Sequence, residues 1–301
     1  MLLKIFAICL IGLILMSAVI AAIVYRMVAN PSGRNVFGDC GKTDNAISFN
    51  YEIISTTSPD GVKLNAYFVD NDNTDCLIVV LHGYGSQAKN LLPFVDHFQT
   101  IGYSVLIPDL RGHGDSGGIC GFGYGDAQDI LEWMQFIDKR KSTHYRKVLF
   151  GTSMGATTAI NVALFASNTE INAVIADSTA PDFLEIIEKV YRWKVKYPWC
   201  LVRPFLVRYM RLFGKVSLDR LSLYERIRSL DVPILFIHGK KDGLIDCNSV
   251  NELYAHVRCY KEIVFSETAD HIGMVNVEPD KYWKKVDGFI IENNYRKEDL
   301  Q

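Results

Sequence analysis

The feature that most constrains the fold of this chain is a short turn bounded by two glycines, Gly151-Thr152-Ser153-Met154-Gly155. A largely apolar run at 147–150, typical of a buried strand, precedes the turn, and an apolar stretch at 156–164, typical of a helix, follows it. A serine at such a joint adopts a strained backbone conformation, and the glycines leave room for the tight turn. The pattern therefore predicts a nucleophile elbow, with Ser153 at the top of a sheet and at the head of a helix.

Strand and helix patterns alternate along the rest of the chain. Strands are predicted at 48–55, 62–69, 76–81, 103–107, 147–150, 171–176, 233–237 and 262–265, and further helices at 87–100, 124–140, 248–257 and 279–293. Buried strands alternating with amphipathic helices indicate an α/β fold whose mostly parallel sheet is covered on both faces. The first two strands are joined by a hairpin-type turn, so we expect them to form an antiparallel edge.

The amino terminus predicts a membrane anchor. Ile5 to Tyr25 is an uncharged, almost wholly apolar stretch, long enough to span a bilayer as a helix and longer than the apolar region of a typical signal peptide. We expect residues 1–26 to form an uncleaved single-pass anchor outside the globular domain, and residues 27–47 a linker. A cleaved signal peptide is the alternative, because 17–22 offers small residues to a peptidase. The flanking charges are too evenly divided to predict the orientation.

The catalytic domain is predicted to span 48–301, with a cap inserted at about 181–230. This insert lacks a strand pattern and is helical in character, rich in aromatic residues and basic, with eleven Lys/Arg and five Asp/Glu between Asp182 and Arg228. We expect it to cover the carboxyl ends of the strands, where an open α/β sheet binds its ligand. The chain's net charge of −2 indicates no general affinity for nucleic acid, and its seven cysteines lack metal-site spacing.

A serine nucleophile needs a base, and the base needs an orienting acid. An elbow of this kind predicts the chain order serine, acid, histidine, and three histidines follow Ser153: His238, His256 and His271. His271 lies in the loop after the last predicted strand, at the sheet edge that carries the elbow, so it is predicted to be the base. His238 is expected to shape a turn, and His256 lies on a helix face as a surface residue.

Two aspartates compete for the role of acid. Asp242 follows the predicted strand at 233–237 closely enough to reach the His271 loop, and it is the first choice. Alternatively, Asp242 has no catalytic role and only helps to form the turn beside Gly243. Asp177, which also ends a strand, is the second candidate. Asp270 is adjacent to His271 but is expected to point away from it.

An oxyanion hole requires two backbone N–H groups. One is predicted to belong to Met154, directly after the serine, and the other to Tyr84 in the glycine-rich loop His82-Gly83-Tyr84-Gly85. The ring of His82 is interpreted as a hydrogen-bonding support for that loop. The polar segment 109–116, which contains His113, is interpreted as a hydrogen-bonded corner.

Four segments in order resemble the motifs of the α/β-hydrolases: His82-Gly83-Tyr84-Gly85, the segment 109–116, the turn at 151–155, and His238-Gly239 with Asp242 followed by His271. Within that superfamily the chain is most similar to bacterial membrane-anchored hydrolases of the serine aminopeptidase-like branch. The resemblance implies an eight-stranded sheet, with Ser153 as nucleophile, His271 as base, Asp242 as acid and no cofactor. Ile272 departs from the family pattern, since a small residue is common after the base.

The leading functional hypothesis is therefore hydrolysis of carboxylic esters with an apolar acyl or aryl group, including lipid-derived esters, near a membrane. The expected partners are a small-molecule ester and the bilayer, with no nucleic acid. A serine aminopeptidase-like peptidase ranks second, because it needs carboxylates for the substrate ammonium and the cap has few. An acyltransferase and a non-catalytic scaffold are the further alternatives. A scaffold usually lacks one of the three catalytic residues, whereas all three are present here.

Overall fold

Eight strands form one sheet in the computed structural model, which describes residues 1–31, 50–166 and 171–295. The strands are β1 Glu52–Thr57, β2 Lys63–Val69, β3 Cys76–Leu81, β4 Ser104–Pro108, β5 Arg146–Thr152, β6 Ile171–Asp177, β7 Ile234–Gly239 and β8 Lys261–Ser266. Their order is β1-β2-β4-β3-β5-β6-β7-β8, with β2 antiparallel to both of its neighbours and every other pairing parallel. The mostly parallel sheet with an antiparallel edge is confirmed. The predicted linker falls largely outside the described residues, as do the first two residues of the first predicted strand.

Helices cover both faces of this sheet. They are α1 Leu2–Ala29, α2 Leu92–Thr100, α3 Ala127–Lys141, α4 Met154–Phe165, α5 Phe183–Lys194, α6 Trp199–Phe213, α7 Leu218–Leu221, α8 Cys247–His256, α9 Met274–Val277 and α10 Pro279–Tyr295. Strand β3 is buried along its whole length, and its side chains alternate between two core layers. Leu77 and Val79 join the layer that contains Trp133 of α3, whereas Ile78 joins the layer that contains Phe98 of α2. Burial on both faces explains why the strand reads as a continuous apolar run.

Helices α5, α6 and α7 lie between β6 and β7, where the sequence predicts a helical cap. The carboxylate of Asp182 caps the start of α5 by accepting the N–H of Leu184 at 2.8 Å. Further along α5, Lys189 Nζ donates to the carbonyl of Leu244, in the loop after β7, at 2.9 Å. The cap is thus joined to a loop at the carboxyl edge of the sheet.

The two halves of α1 differ in their surroundings. Residues 2–16 are exposed, whereas the C-terminal half packs beside α6 and buries Ser17, Ala21 and Ala29. The ring of Tyr25 lies 6.1 Å from that of Phe213 at the end of α6. The expectation that the amino terminus lies outside the globular domain is therefore wrong for this half. Its small side chains, Ser17, Ala21 and Ala29 among them, let a second helix approach closely.

Among the residues that the structure describes, one helix is long and apolar enough to cross a membrane, and this helix is α1. It extends to Ala29, so the first residues of the predicted linker continue the helix beyond the predicted boundary at residue 26. The end of α1 is fixed to the domain by its carbonyl groups. That of Ala29 accepts the N–H of Cys120 at 2.9 Å, which satisfies a group that a helix end leaves unpaired.

Candidate active site

A single residue, Ser153, connects the end of β5 to the start of α4. Its backbone has φ of +53° and ψ of −119°. A positive φ is unfavourable for a residue with a side chain, so the surrounding packing must hold it. A Cβ on Gly151 would overlap the carbonyl of Gly155, and a Cβ on Gly155 would overlap the carbonyl of Leu81. Both glycines are therefore required by close backbone approach, and the serine sits at the N-terminal end of α4.

The structure brings together Ser153, His271 and Asp242. The Nε2 atom of His271 lies 3.0 Å from Ser153 Oγ, and its Nδ1 atom lies 2.7 Å from Asp242 Oδ2. Asp242 Oδ1 accepts two backbone N–H groups of the loop after β7, those of Leu244 at 2.8 Å and Ile245 at 2.9 Å. This arrangement fixes the carboxylate and orients the imidazole with one nitrogen toward the serine.

Asp242 is buried, and its side chain has no solvent-exposed surface. Burial by itself raises the pKa of this carboxyl, but the hydrogen bond to His271 and the charge of that ring act in the opposite direction. Together, the three effects leave the pKa of Asp242 below its ordinary value. The carboxylate is therefore ionised at neutral pH and can stabilise a positive charge on His271.

Asp177, the second candidate acid, has other partners. Its carboxylate accepts hydroxyl groups from Tyr282 and Ser178, each at 2.8 Å. Burial raises the pKa of Asp177 to about 6 despite these two hydrogen bonds. The same Ser178 hydroxyl accepts the N–H of Ile272 at 3.0 Å, so Asp177 supports the His271 loop from behind. Ile272 itself has φ of +59°, which is unfavourable for a β-branched residue.

The loop after β3 lies directly against the serine. A Cβ on Gly83 would stand 3.2 Å from the Cβ of Ser153, which places the backbone of Tyr84 beside the site. His82 fixes this loop, because its Nδ1 donates to the carbonyl of Gly83 at 2.8 Å while its Nε2 accepts the N–H of Leu110 at 3.0 Å. Burial lowers the pKa of His82 to about 4, so the ring is neutral and supports the loop as the sequence predicts.

The hydroxyl of Tyr84 makes a contact that sequence reasoning missed. It donates to the last carbonyls of α1, those of Met27 at 3.2 Å and Val28 at 3.1 Å. Such carbonyls have no partner within a helix, which makes them ready acceptors. The loop predicted to hold an oxyanion is thus tied to the end of the N-terminal helix. No sequence signal links these positions, which lie 56 and 57 residues apart.

The two other histidines that follow Ser153 in the sequence do not contact the serine. His238 Nε2 donates to the carbonyl of Ile245 at 3.1 Å and closes the turn that carries Asp242, as expected. His256 is partly buried at the end of α8, where Nδ1 contacts the carbonyl of Tyr224 at 2.8 Å. These rings shape loops and helix ends around the site.

The polar segment after β4 forms the predicted hydrogen-bonded corner. Asp109 accepts the N–H of Ala88 at 2.7 Å and that of Asp115 at 2.9 Å. Arg111 pairs with the largely buried carboxylate of Asp129 in α3. Because these groups satisfy one another, the corner positions the neighbouring loops and holds His82 through Leu110.

A cavity of about 210 Å³ contains Ser153 in its lining. Its other walls are the apolar side chains of α5, the loop after β7 and the end of α1; they include Val28, Phe183, Ile187, Tyr191, Leu244 and Ile245. The sequence does not reveal the contribution of α1, because so apolar a segment predicts an anchor outside the domain. Among the residues that the structure describes, no group of three or more His, Cys, Asp or Glu is arranged to hold a metal ion.

The eight-stranded sheet, the tight turn at Ser153 and the helical insert after β6 define an α/β hydrolase, and this chain belongs to the α/β-hydrolase superfamily. The model of the family described as serine aminopeptidase, S33, matches residues 72–199. Among solved structures, the esterase Pf2001 of Pyrococcus furiosus is 26% identical, with a TM-score of 0.69 over 89% of this chain and 98% of that one.

Similar proteins occur in bacteria and yeast. The uncharacterized protein YqkD of Bacillus subtilis is 29% identical over 239 residues, which cover 78% of this chain and 77% of YqkD. The uncharacterized membrane protein YNL320W of Saccharomyces cerevisiae is 25% identical over 254 residues, 81% of each chain. The matching family model and the similar esterase structure together support the chain as a hydrolase of the α/β type.

Proposed function

We propose that this protein is a serine hydrolase that cleaves carboxylic esters through an acyl-enzyme on Ser153. The observation that carries the proposal is the continuous contact from Ser153 Oγ through His271 to Asp242, at 3.0 and 2.7 Å. A serine activated by an oriented histidine is the arrangement that acyl transfer requires.

In the first step, Ser153 Oγ attacks the acyl carbon while its proton passes to His271 Nε2. The resulting imidazolium is stabilised by Asp242, and the negative charge on the former carbonyl oxygen is held by the backbone N–H groups of Met154 and Tyr84. Collapse of this intermediate breaks the ester C–O bond. His271 gives its proton to the departing alcohol, and the acyl group stays on Ser153.

In the second step, water enters at the position vacated by the alcohol. His271 takes one proton from this water, and the oxygen attacks the acyl carbon. The acid product leaves when the proton returns to Ser153 Oγ. The net reaction converts one ester and one water into one carboxylic acid and one alcohol, and no cofactor takes part in it.

The apolar cavity supports an ester with an apolar acyl or aryl group. None of the described residues that line it is an aspartate or glutamate, so the pocket offers no carboxylate for a substrate ammonium. The similar Pyrococcus furiosus protein is named an esterase. The second candidate is an aminopeptidase-like peptidase, favoured by the name of the matching family. An acyltransferase would share the acyl-enzyme and differ only in the acceptor.

We also propose that α1 anchors the protein in a membrane as a single pass. The helix has 28 residues, and the stretch between Lys4 and Arg26 is uncharged. At about 1.5 Å per residue, the whole helix is about 42 Å long, more than the hydrocarbon core of a bilayer. The similar yeast protein is named a membrane protein.

A fluorophosphonate probe tests the nucleophile. We expect the full-length protein to be labelled, the Ser153→Ala variant to remain unlabelled, and the exposed control Ser229→Ala to be labelled at the wild-type rate. Hydrolysis of p-nitrophenyl esters and of an aminoacyl-nitroanilide by the same three proteins then separates esterase from peptidase. Labelling of Ser153→Ala, or turnover of the anilide alone, would overturn the proposal.

A further inference from the structure

The cavity at Ser153 follows α5 away from the sheet. Its lining begins at Phe183, whose ring lies 5.9 Å from that of Tyr84, and extends to Lys194 and Val195 at the opposite end of the helix. At about 1.5 Å per residue, this length of helix is about 18 Å. The facing wall includes Val24, Met27 and Val28 of α1. The cavity is therefore an elongated apolar slot between two helices, one of which is the proposed membrane anchor.

The far end of this slot points to the exposed half of α1. Just beyond α5, the hydroxyl of Tyr197 lies 2.9 Å from Ser17 Oγ and 3.4 Å from the carbonyl of Leu13. Ser17 is where the packed half of α1 begins, and residues 2–16 beyond it are exposed. The end of α5 thus lies level with the point at which α1 leaves the domain.

The exposed half of α1 is too short to cross a bilayer alone. Residues 2–16 extend about 22 Å at 1.5 Å per residue, whereas the hydrocarbon core is about 30 Å thick. An anchor that spans the membrane must therefore draw the tip of the cap about 8 Å into the bilayer. Proteins that lie in the membrane interface bury their apolar faces to about this depth, roughly 5–10 Å.

The surface of the cap fits this position. Residues 189–218 contain eight Lys/Arg and no Asp/Glu. Within them, Trp193 and Phe213 are each about 60% exposed, and Leu212 beside Phe213 is nearly as exposed. Exposed aromatic and apolar side chains among cations are typical of surfaces that lie at the membrane–water boundary and contact anionic lipids.

We propose that the cap lies in the membrane interface and that the slot between α1 and α5 binds the fatty acyl chain of a membrane lipid ester. The proposal rests on the function proposed above and names its substrate class. One leaflet of a core about 30 Å thick holds chains about 15 Å long, which matches a slot of about 18 Å. Lys194, at the end of the slot opposite Ser153, is exposed and can contact the phosphate of a neighbouring lipid. The acyl chain enters from the bilayer, with its carbonyl at Ser153.

A matched pair of variants tests the slot in the full-length protein, reconstituted in phosphatidylcholine–phosphatidylglycerol vesicles. Val24→Trp fills the slot from α1, whereas Ile23→Trp adds the same side chain at an exposed neighbouring position. We expect Val24→Trp to lower the ratio of kcat/KM for p-nitrophenyl laurate to that for p-nitrophenyl acetate at least tenfold. Ile23→Trp should keep this ratio within twofold of wild type, and equal ratios in the two variants would overturn the proposal.

A second measurement does not depend on turnover. The Ser153→Ala variant, in the same vesicles, is irradiated with a phosphatidylcholine that carries a diazirine at the end of one acyl chain, and in parallel with the corresponding diazirine fatty acid in solution. We expect the lipid to form adducts at Val24 of α1 and at residues 190–195 of α5 and its end, toward the end of the slot opposite Ser153. Adducts from the soluble fatty acid alone would overturn entry from the bilayer.

The two proposals fail in distinguishable ways. If the wild-type protein hydrolyses none of the esters while the lipid adducts still form in the slot, the hydrolase function is wrong and the acyl site stands. If esters are hydrolysed but adducts form only outside the slot, the substrate class inferred here is wrong and the hydrolase function stands.

Discussion

At the scale of single residues, the site depends on which of two buried aspartates contacts the histidine. Both end or follow a strand at the same edge of the sheet, so the sequence leaves both as candidates. The structure separates them by their partners, because Asp242 reaches His271 at 2.7 Å while Asp177 is occupied by Tyr282 and Ser178. A carboxylate already held by two hydroxyl groups supports a loop, and we expect it to be replaceable by an amide.

The two aspartates therefore give a matched test. Asp242→Asn should lower kcat for p-nitrophenyl butyrate by about 10⁴-fold, since an amide disturbs both the tautomer and the charge partner of His271. Asp177→Asn should lower kcat by less than about tenfold, because the amide oxygen still accepts one of the two hydroxyl groups and the amide NH2 can donate to the other. Thermal unfolding verifies that both variants fold. A severe loss in Asp177→Asn beside an active Asp242→Asn would mean that the acid is misassigned.

A third aspartate, Asp126, makes stability depend on pH. It is fully buried, accepts the N–H of Gly123 at 2.9 Å, and burial raises its pKa from 3.8 to about 7. The folded state therefore binds a proton more tightly than the unfolded state. The stability that this protonated group contributes is complete below about pH 4 and is lost as the pH rises through about 7.

We expect the free energy of unfolding of Asp126→Asn to fall less between pH 5 and pH 8 than that of wild type. The difference should be on the order of 2–3 kcal/mol, since each pKa unit corresponds to about 1.4 kcal/mol. Urea unfolding at the two pH values measures it. The exposed control Asp280→Asn should follow the wild type, and an identical pH response of Asp126→Asn would refute the assignment.

At the scale of elements, the joint between β5 and α4 is fixed by backbone contact. We expect Gly155→Ala to abolish probe labelling of Ser153 and to lower the melting temperature, because the added Cβ overlaps the carbonyl of Leu81. Gly288 provides the control, since a Cβ added there in α10 meets nothing within 4 Å. Gly288→Ala should keep full labelling and raise stability by about 0.5–1 kcal/mol. A fully labelled Gly155→Ala protein would contradict this interpretation of the turn.

A second element-scale prediction concerns the two tyrosines that tether α1. Tyr84→Phe frees the last carbonyls of α1 and loosens the loop beside Ser153, so we expect it to lower kcat severalfold at nearly constant KM. Tyr197→Phe also removes a hydroxyl contact with α1, at Ser17, but far from the catalytic serine. We expect each of the two variants to lower the free energy of unfolding by about 1 kcal/mol, and Tyr197→Phe to leave kcat unchanged. Equal kcat values in the two variants would assign Tyr84 a purely structural role.

At the scale of the whole molecule, α1 is both the proposed membrane anchor and part of the domain. Removal of residues 2–29 takes away one wall of the cavity and uncovers the apolar side of α6. We expect this variant to aggregate without detergent and to lose at least tenfold in kcat/KM for p-nitrophenyl butyrate per labelled site. Removal of residues 2–12 alone should weaken vesicle binding and preserve that activity. Light scattering measures the aggregation, and steady-state kinetics measures kcat/KM. A monodisperse, fully active protein without residues 2–29 would show that α1 is dispensable.

Much of this architecture follows from local patterns. Buried strands appear in the sequence as apolar runs. The glycines at 151 and 155 identify the turn because they lie between a strand pattern and a helix pattern, where close backbone contacts leave no room for a Cβ. The packing of α1 against α6 was not predictable in the same way, since an apolar sequence with some small residues suits both a helix that faces lipid and a helix that packs on another apolar helix. The slot at Ser153 was missed for that reason, because one of its walls comes from a segment assigned to the membrane alone.

The contact between Ser17 and Tyr197 joins residues 180 positions apart, and this separation has a consequence for biosynthesis. The amino-terminal helix leaves the ribosome long before α6 exists, so its small-residue face has no partner while most of the domain is made. Contacts of such long sequence separation form late, since loop closure must precede them. Docking of the cap onto the helix is therefore expected to be among the last steps of folding, and the nascent chain gains a complete substrate cavity only after nearly all of it has been synthesised.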